Sequence, residues 1–259
     1  MWSVLTPLPP VPPGYGLELD PFQADRTQVV KRRKFLSSAE IGEVSAAVSL
    51  LKERGASNYA AKDDTLYMQQ LGFFQEVAPD IHRKISELVT HTDKAHWGLL
   101  ASCDEEVGEG VNPRCIEFHE YGKHARNVCG SHTDTGSLIT VDIMLSPTSE
   151  FEGGGFLTVA TEDGSKERLQ RHAFEQGDAL VFVSHKRHMV EPVTSGARCV
   201  LVLEFWEGVA CEGAHRCMDP ECGTKRLEGA AAGGSGIPPP SPSEEELFGP
   251  KSPEPDMEA

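Results

Sequence analysis

From Arg114 onward the chain alternates apolar and polar residues with a period of two, and this pattern constrains the fold more than any other feature. Successive side chains of a strand face opposite sides, so the alternation marks strands with one face buried. It predicts strands over 114–121, 137–145, 155–160, 179–184 and 198–206. Glycine-bearing turns at Gly153-Gly154-Gly155 and Gly177-Asp178 separate several of them. The first half has a different period. Ile41, Val44, Val48 and Leu51 recur at helical spacing, Ser37 and Glu40 fit a capping box, and Leu36 with Ile41 fits a hydrophobic staple. These predict a helix over 38–54 with Gly55 as its stop. A second helix follows Pro79, with Ile81, Ile85, Leu88 and Val89 on one side. Helices first and strands second predict an α+β chain, mainly β, with helices packed outside a sandwich or barrel.

Composition divides the 259 residues into three parts. Residues 1–30 are a proline-rich arm, expected to hold little regular structure. Residues 31–210 carry the periodic segments and form the expected domain. Residues 211–259 are acidic and of low complexity, with too little apolar surface to offset the entropy of ordering, and are expected to be disordered. The net charge of −16 argues against nucleic-acid binding through overall charge. The short basic cluster Lys31-Arg32-Arg33-Lys34 reads as the solvated lead-in to a strand. No apolar run is long enough for a membrane span, and the first residues lack the pattern of a secretory signal. Seven cysteines without a Cys-x-x-Cys pair read as reduced thiols in a cytoplasmic or nuclear protein. Cys211, Cys217 and Cys222 with His215 offer metal donors, but their spacing matches no zinc pattern, and the plain thiol reading is preferred.

One constellation carries chemistry. His132-Thr133-Asp134 puts an imidazole and a carboxylate on one face of an extended segment. His188 adds a second imidazole, which only a fold that brings distant strands together can place beside the first two. Two histidines and one carboxylate hold one face of an octahedral Fe(II) and leave the other face open. Arg198, ten positions beyond His188, supplies a cation able to clamp a carboxylate through parallel hydrogen bonds. An open metal beside a carboxylate clamp implies a small diacid cosubstrate and points to oxygen chemistry. On the strand after Asp134, Thr140 falls on the ligand face and offers a hydroxyl inside the pocket, where it is expected to contact the cosubstrate. His91-Thr92-Asp93 repeats the motif but ends a helix, with no apolar strand after it, and reads as a decoy. His185 competes for the third position; the ten-residue step to Arg198 favours His188.

These pieces, in this order, resemble the Fe(II)- and 2-oxoglutarate-dependent dioxygenases, in their prolyl 4-hydroxylase-like branch. The resemblance runs from about Phe35 to Trp206 and is carried by Tyr121-Gly122, His132-Thr133-Asp134, Phe151-Glu152-Gly153-Gly154, Gly177-Asp178, and His188 with Pro192, Gly196 and Arg198. It implies a double-stranded β-helix, or jelly roll, and iron held by His132, Asp134 and His188. It implies 2-oxoglutarate on the iron, its far carboxylate on Arg198 and a hydrogen bond from Tyr121, with O2 as cosubstrate and ascorbate as reductant. Collagen-type members usually have lysine where Arg198 stands, which weakens any expectation of a collagen-type substrate. The implied reaction is hydroxylation of an unactivated C–H bond, first of all in a peptidyl proline, with release of succinate and CO2. A free amino acid or other small metabolite is the alternative substrate. A metal- or diacid-binding interaction protein without turnover is the alternative from another class.

Overall fold

The computed structural model describes residues 21–54, 65–100, 112–122, 131–162, 166–206 and 209–217. Most of the expected disordered tail, from residue 218 on, lies outside the described residues, as do residues 1–20 of the expected arm.

The capping box at Ser37 forms as the sequence predicts. The Glu40 amide donates to the Ser37 hydroxyl, and the Ser37 amide donates back to the Glu40 carboxylate. An N-cap of this kind is worth about 1 kcal/mol. It starts a helix over Ser38–Glu53, and Pro79 opens a second over Pro79–His96. Both bury the predicted stripes: Ile41, Val44, Val48 and Leu51 on the first, Ile81, Ile85, Leu88 and Val89 on the second. Two shorter helices, Pro21–Arg26 and Phe73–Val77, complete α1 to α4 in chain order.

The strands are β1 (Val30–Arg32), β2 (Thr65–Tyr67), β3 (Asn112–Gly122), β4 (Ile139–Met144), β5 (Phe151–Gly153), β6 (Phe156–Glu162), β7 (Lys166–His172), β8 (Ala179–Val183), β9 (His188–Val190) and β10 (Val193–Trp206). All pairs are antiparallel. One sheet has the order β1-β8-β4-β10-β3-β2, with β5 joined to the start of β10, and a smaller sheet has the order β7-β6-β9. Alternation sorts the large sheet into two faces. Ile116, Phe118, Ile139, Val141, Ile143, Leu201, Leu203 and Phe205 lie in one apolar cluster with the stripes of α2 and α4. Met144, Leu180, Phe182, Val200 and Val202, from the opposite face, cluster with Phe156 and Val190 of the small sheet. Two facing antiparallel sheets with helices outside the larger one make the expected jelly roll.

Two boundaries differ from those the composition suggests. The end of the arm is folded: Lys186 Nζ donates to the carbonyls of Asp25 and Thr27, and Arg187 pairs with Asp25, which fixes α1. At the other end, residues 209–217 are packed, with Cys211 and Cys217 buried beside Trp206. Local composition could show neither, because both segments are held by side chains far away in sequence. The basic cluster, expected to lead into a strand, ends one instead: Lys31 and Arg32 lie on β1 with Arg33 and Lys34 in the turn after it, and Lys31 pairs with Asp178 at 2.7 Å.

Candidate metal centre and its pocket

The turn before β4 and the start of β9 meet through a two-way backbone bridge. The His132 amide donates to the His188 carbonyl at 3.0 Å, and the His188 amide donates to that of His132 at 2.9 Å. The bridge sets the two imidazoles 4.2 Å apart, centroid to centroid. A third bond, from the Asp134 amide to the Ser184 carbonyl at 2.9 Å, brings the carboxylate to the same place. The donor atoms of His132, Asp134 and His188 all lie within 4.8 Å of one another. Asp134 Oδ1 is 3.8 Å from His132 Nε2, and Oδ2 is 3.6 Å from His188 Nε2.

The surroundings prepare these groups to bind a cation. His188 Nδ1 lies 2.9 Å from the Lys186 carbonyl oxygen. A carbonyl only accepts, so Nδ1 carries the proton and Nε2 offers its lone pair toward Asp134. Burial pushes the His188 imidazole down to about 4, so it is neutral at physiological pH. Burial alone would raise the Asp134 carboxyl. The neighbouring His188, Arg216 and His132 and the Thr140 hydroxyl outweigh that and hold it below the ordinary range. Two imidazoles and one ionised carboxylate are a donor set suited to Fe(II).

Thr140 is on the expected face, and its hydroxyl lies between Asp134 and Ser184. It donates to Asp134 Oδ2 at 2.7 Å and lies 2.9 Å from the Ser184 hydroxyl. It therefore orients the carboxylate. Arg198 is fully buried, its guanidinium carbon 5.3 Å from the Tyr121 ring centroid and 5.8 Å from that of Phe174. Tyr121 in turn stacks on His119 at 5.5 Å. The glycine pair after Phe151 makes this possible. Gly154 has φ +61°, and a Cβ there would fall 2.8 Å from Arg198 Cδ.

The repeated motif on α4 is a decoy, as expected. His91 is exposed and lies 2.7 Å from the Glu87 carbonyl, whereas Asp93 is buried and accepts from the amides of Leu99 and Leu100. His185 is buried too, and stands outside the His132–Asp134–His188 group.

The same face carries further charge that the motif spacing does not mark. Glu117, Asp142 and Glu204 are buried there, on β3, β4 and β10. Arg216 reaches two of them from the 209–217 segment: Nη2 is 3.0 Å from Glu117 and 2.8 Å from Glu204, and Nη1 is 3.7 Å from Asp134. Arg114 pairs with Glu204 from the other side at 2.5 Å. Burial lifts the Asp142 carboxyl to about 8, against the opposing pull of Arg198. Strand parity marks all three acids, since Glu117 is in step with Tyr121, Asp142 with Thr140 and Glu204 with Arg198. Arg216, the partner of two of them, lies in a segment assigned to the tail.

No family model matches the chain. Over 84 residues it is 40% identical to a PKHD-type hydroxylase of Idiomarina loihiensis, a match covering 32% of this chain and 34% of that protein. The chain thus spans about a third of that relative's length. AviO1 from Streptomyces viridochromogenes superposes with a TM-score of 0.51 at 14% identity, covering 77% of this chain and all of that one. The non-heme α-ketoglutarate-dependent carbocyclase SnoK of nogalamycin biosynthesis gives 0.51 at 16% identity, covering 74% and 85%. In fold, and in part of its sequence, the chain is similar to the 2-oxoglutarate- and iron-dependent oxygenases that its motifs resemble.

Proposed function

We propose that the chain is an Fe(II)- and 2-oxoglutarate-dependent oxygenase that hydroxylates an unactivated C–H bond. The observation that carries this reading is the convergence of His132, Asp134 and His188, supported by a buried arginine, Arg198, packed against Tyr121 and Phe174. The three side chains would hold the iron, with His188 turned by the Lys186 carbonyl and Asp134 by Thr140. Arg198 would take the far carboxylate of 2-oxoglutarate, and its planar fork suits two parallel hydrogen bonds. Tyr121, packed against Arg198, would add a hydroxyl contact to the same cosubstrate. When bound, iron and 2-oxoglutarate supply O2 activation coupled to decarboxylation, giving succinate, CO2 and a hydroxylated product. The buried apolar cluster of Leu180, Phe182, Val200 and Val202 would help to exclude water from the cosubstrate.

A peptidyl proline is the first substrate class to test, in keeping with the motif resemblance and with a relative named as a hydroxylase. Ascorbate is the reductant of choice. The second reading, a free amino acid or small metabolite, is favoured by Arg216, which takes up space on the acidic side of the pocket beside Asp134.

Purified protein with Fe(II), 2-oxoglutarate and ascorbate, exposed to O2, should release succinate, whereas Asp134→Ala should not. Peptide and metabolite libraries that stimulate this release then separate the two substrate classes. Absence of succinate with every candidate substrate, despite iron bound to the wild type, would favour a binding protein without turnover.

A further inference from the structure

We propose that Cys211, His215 and Cys217 form a second metal site, for zinc or an ion of like softness, which fastens residues 209–217 to the jelly roll. The donor atoms of the three residues lie within 4.8 Å of one another. Both thiols are buried, and the imidazole is half-buried. Two sulfurs and a nitrogen are the donors of tetrahedral zinc, which would hold them roughly 3.8 Å apart. A small contraction of the group would bring these three donors to that spacing, leaving the fourth position for water or a further ligand.

The segment is shaped to present these side chains. It has neither helix nor strand, and its backbone is held from outside. The Cys211 amide donates to the Pro113 carbonyl, and the Leu71 amide donates to that of Glu212. The Gln69 side-chain amide donates to the carbonyls of Gly213 and His215, each at 3.0 Å, and Arg114 donates to that of Cys217 at 2.7 Å. Gly213 leaves room for the histidine: a Cβ there would fall 2.3 Å from His215 Cε1.

The plain alternative is that the thiols are small apolar fillers against Trp206. That accounts for two buried cysteines. It does not account for an imidazole brought to both sulfurs in a nine-residue segment whose apolar packing is otherwise slight. Short irregular segments of this kind are where a structural metal contributes most to folding.

Arg216 lies between two of the donors, so the ion would also fix its guanidinium against Glu117 and Glu204. The metal site itself does not depend on the oxygenase reading, because the His132–Asp134–His188 group contains no sulfur.

Full-length protein, reduced and stripped with a chelator, is titrated with Co(II). The expected result is one equivalent with intense thiolate-to-cobalt charge-transfer absorption, displaced by Zn(II). The absorption should persist in Asp134→Ala and in Cys115→Ser, which removes the buried thiol near Glu117, and vanish in Cys217→Ser. In the wild type, Zn(II) should slow alkylation of Cys211 and Cys217, located by peptide mass mapping, by at least an order of magnitude. This second readout needs no variant. Absence of charge-transfer absorption in the wild type, its survival in Cys217→Ser, or equal alkylation of both thiols with and without zinc would overturn the proposal. A Cys211–Cys217 disulfide in protein isolated without reductant would do the same.

Discussion

Arg216 places Nη1 3.7 Å from Oδ1 of Asp134. A guanidinium from the last described segment thus borders the carboxylate on which the candidate metal centre depends, while its Nη2 serves Glu117 and Glu204. Three acids share this cation, and it is the point where the end of the chain meets the pocket.

Arg216→Ala should cost about 2–3 kcal/mol, less than the ~3–5 kcal/mol for breaking a fully buried pair. Glu204 keeps Arg114 and Ser137, and Glu117 keeps His119, so neither acid is abandoned. Urea denaturation at neutral pH measures the loss. A midpoint equal to that of the wild type would mean that the three contacts contribute nothing to stability.

Thr140→Val keeps the β-branched shape and removes the donor to Asp134. Metal affinity, followed by calorimetry with Mn(II) in place of iron, should weaken by about tenfold or more. Thr140→Ser should stay near the wild type. Equal affinity in the valine variant would show that the carboxylate is oriented without this bond.

Under the oxygenase reading, Arg198→Ala should raise the KM for 2-oxoglutarate by about tenfold to a hundredfold, the worth of a hydrogen bond to a charged group. Metal binding should be unaffected. Arg198→Lys should fall between the two, since lysine restores the charge without the planar fork. An unchanged KM in the alanine variant would move the cosubstrate site elsewhere.

Asp142 predicts a pH dependence. Its folded pKa, about 8, lies above the unfolded value near 4, so the native state binds the extra proton between those limits. Stability from this group is fully present below about pH 4 and is lost as the pH rises through about 8. Asp142→Asn, which stays neutral, should therefore gain on the wild type as pH increases. Thermal melts at pH 5.5 and pH 8.5, roughly either side of neutrality, should show a larger advantage for the variant at the higher value. A constant difference would indicate that Asp142 titrates as an ordinary carboxyl.

The elements legible in the sequence are those whose signals are local. α2 and α4 carry long apolar stripes, β4 carries clear alternation, and β8 and the second half of β10 are short apolar runs of strand length. β1, β2, β5 and β9 have three residues each, too few to display a period. β7 reads Lys-Glu-Arg-Leu-Gln-Arg-His, polar nearly throughout, because it is the edge of the small sheet and its single leucine is exposed. β10 begins at Val193, five residues ahead of the expected start at Arg198, because Gly196 at φ +73° lets the chain pair with β5 before the long run. At the site, the spacing of His132, Asp134, His188 and Arg198 marks the residues that gather around the pocket. The acids and Arg216 escape such a reading because charge compensation joins positions about a hundred residues apart, such as Glu117 and Arg216. Thr140 shows the limit of parity: alternation gives the face of a side chain and not the atom it will bond.

The large sheet keeps its helix-backed apolar cluster on one face and its charged pocket on the other. Adjacent residues of one strand, such as Val141 and Asp142, therefore answer to different demands. The first is constrained by the shape of α2 and α4, the second by whatever occupies the pocket. Substitution at the pocket-facing positions of β3, β4 and β10 leaves the contacts with the helices unchanged where the buried ion pairs of Glu117 and Glu204 are kept. Such a scaffold can acquire a new chemical specificity in small steps without passing through an unfolded ancestor.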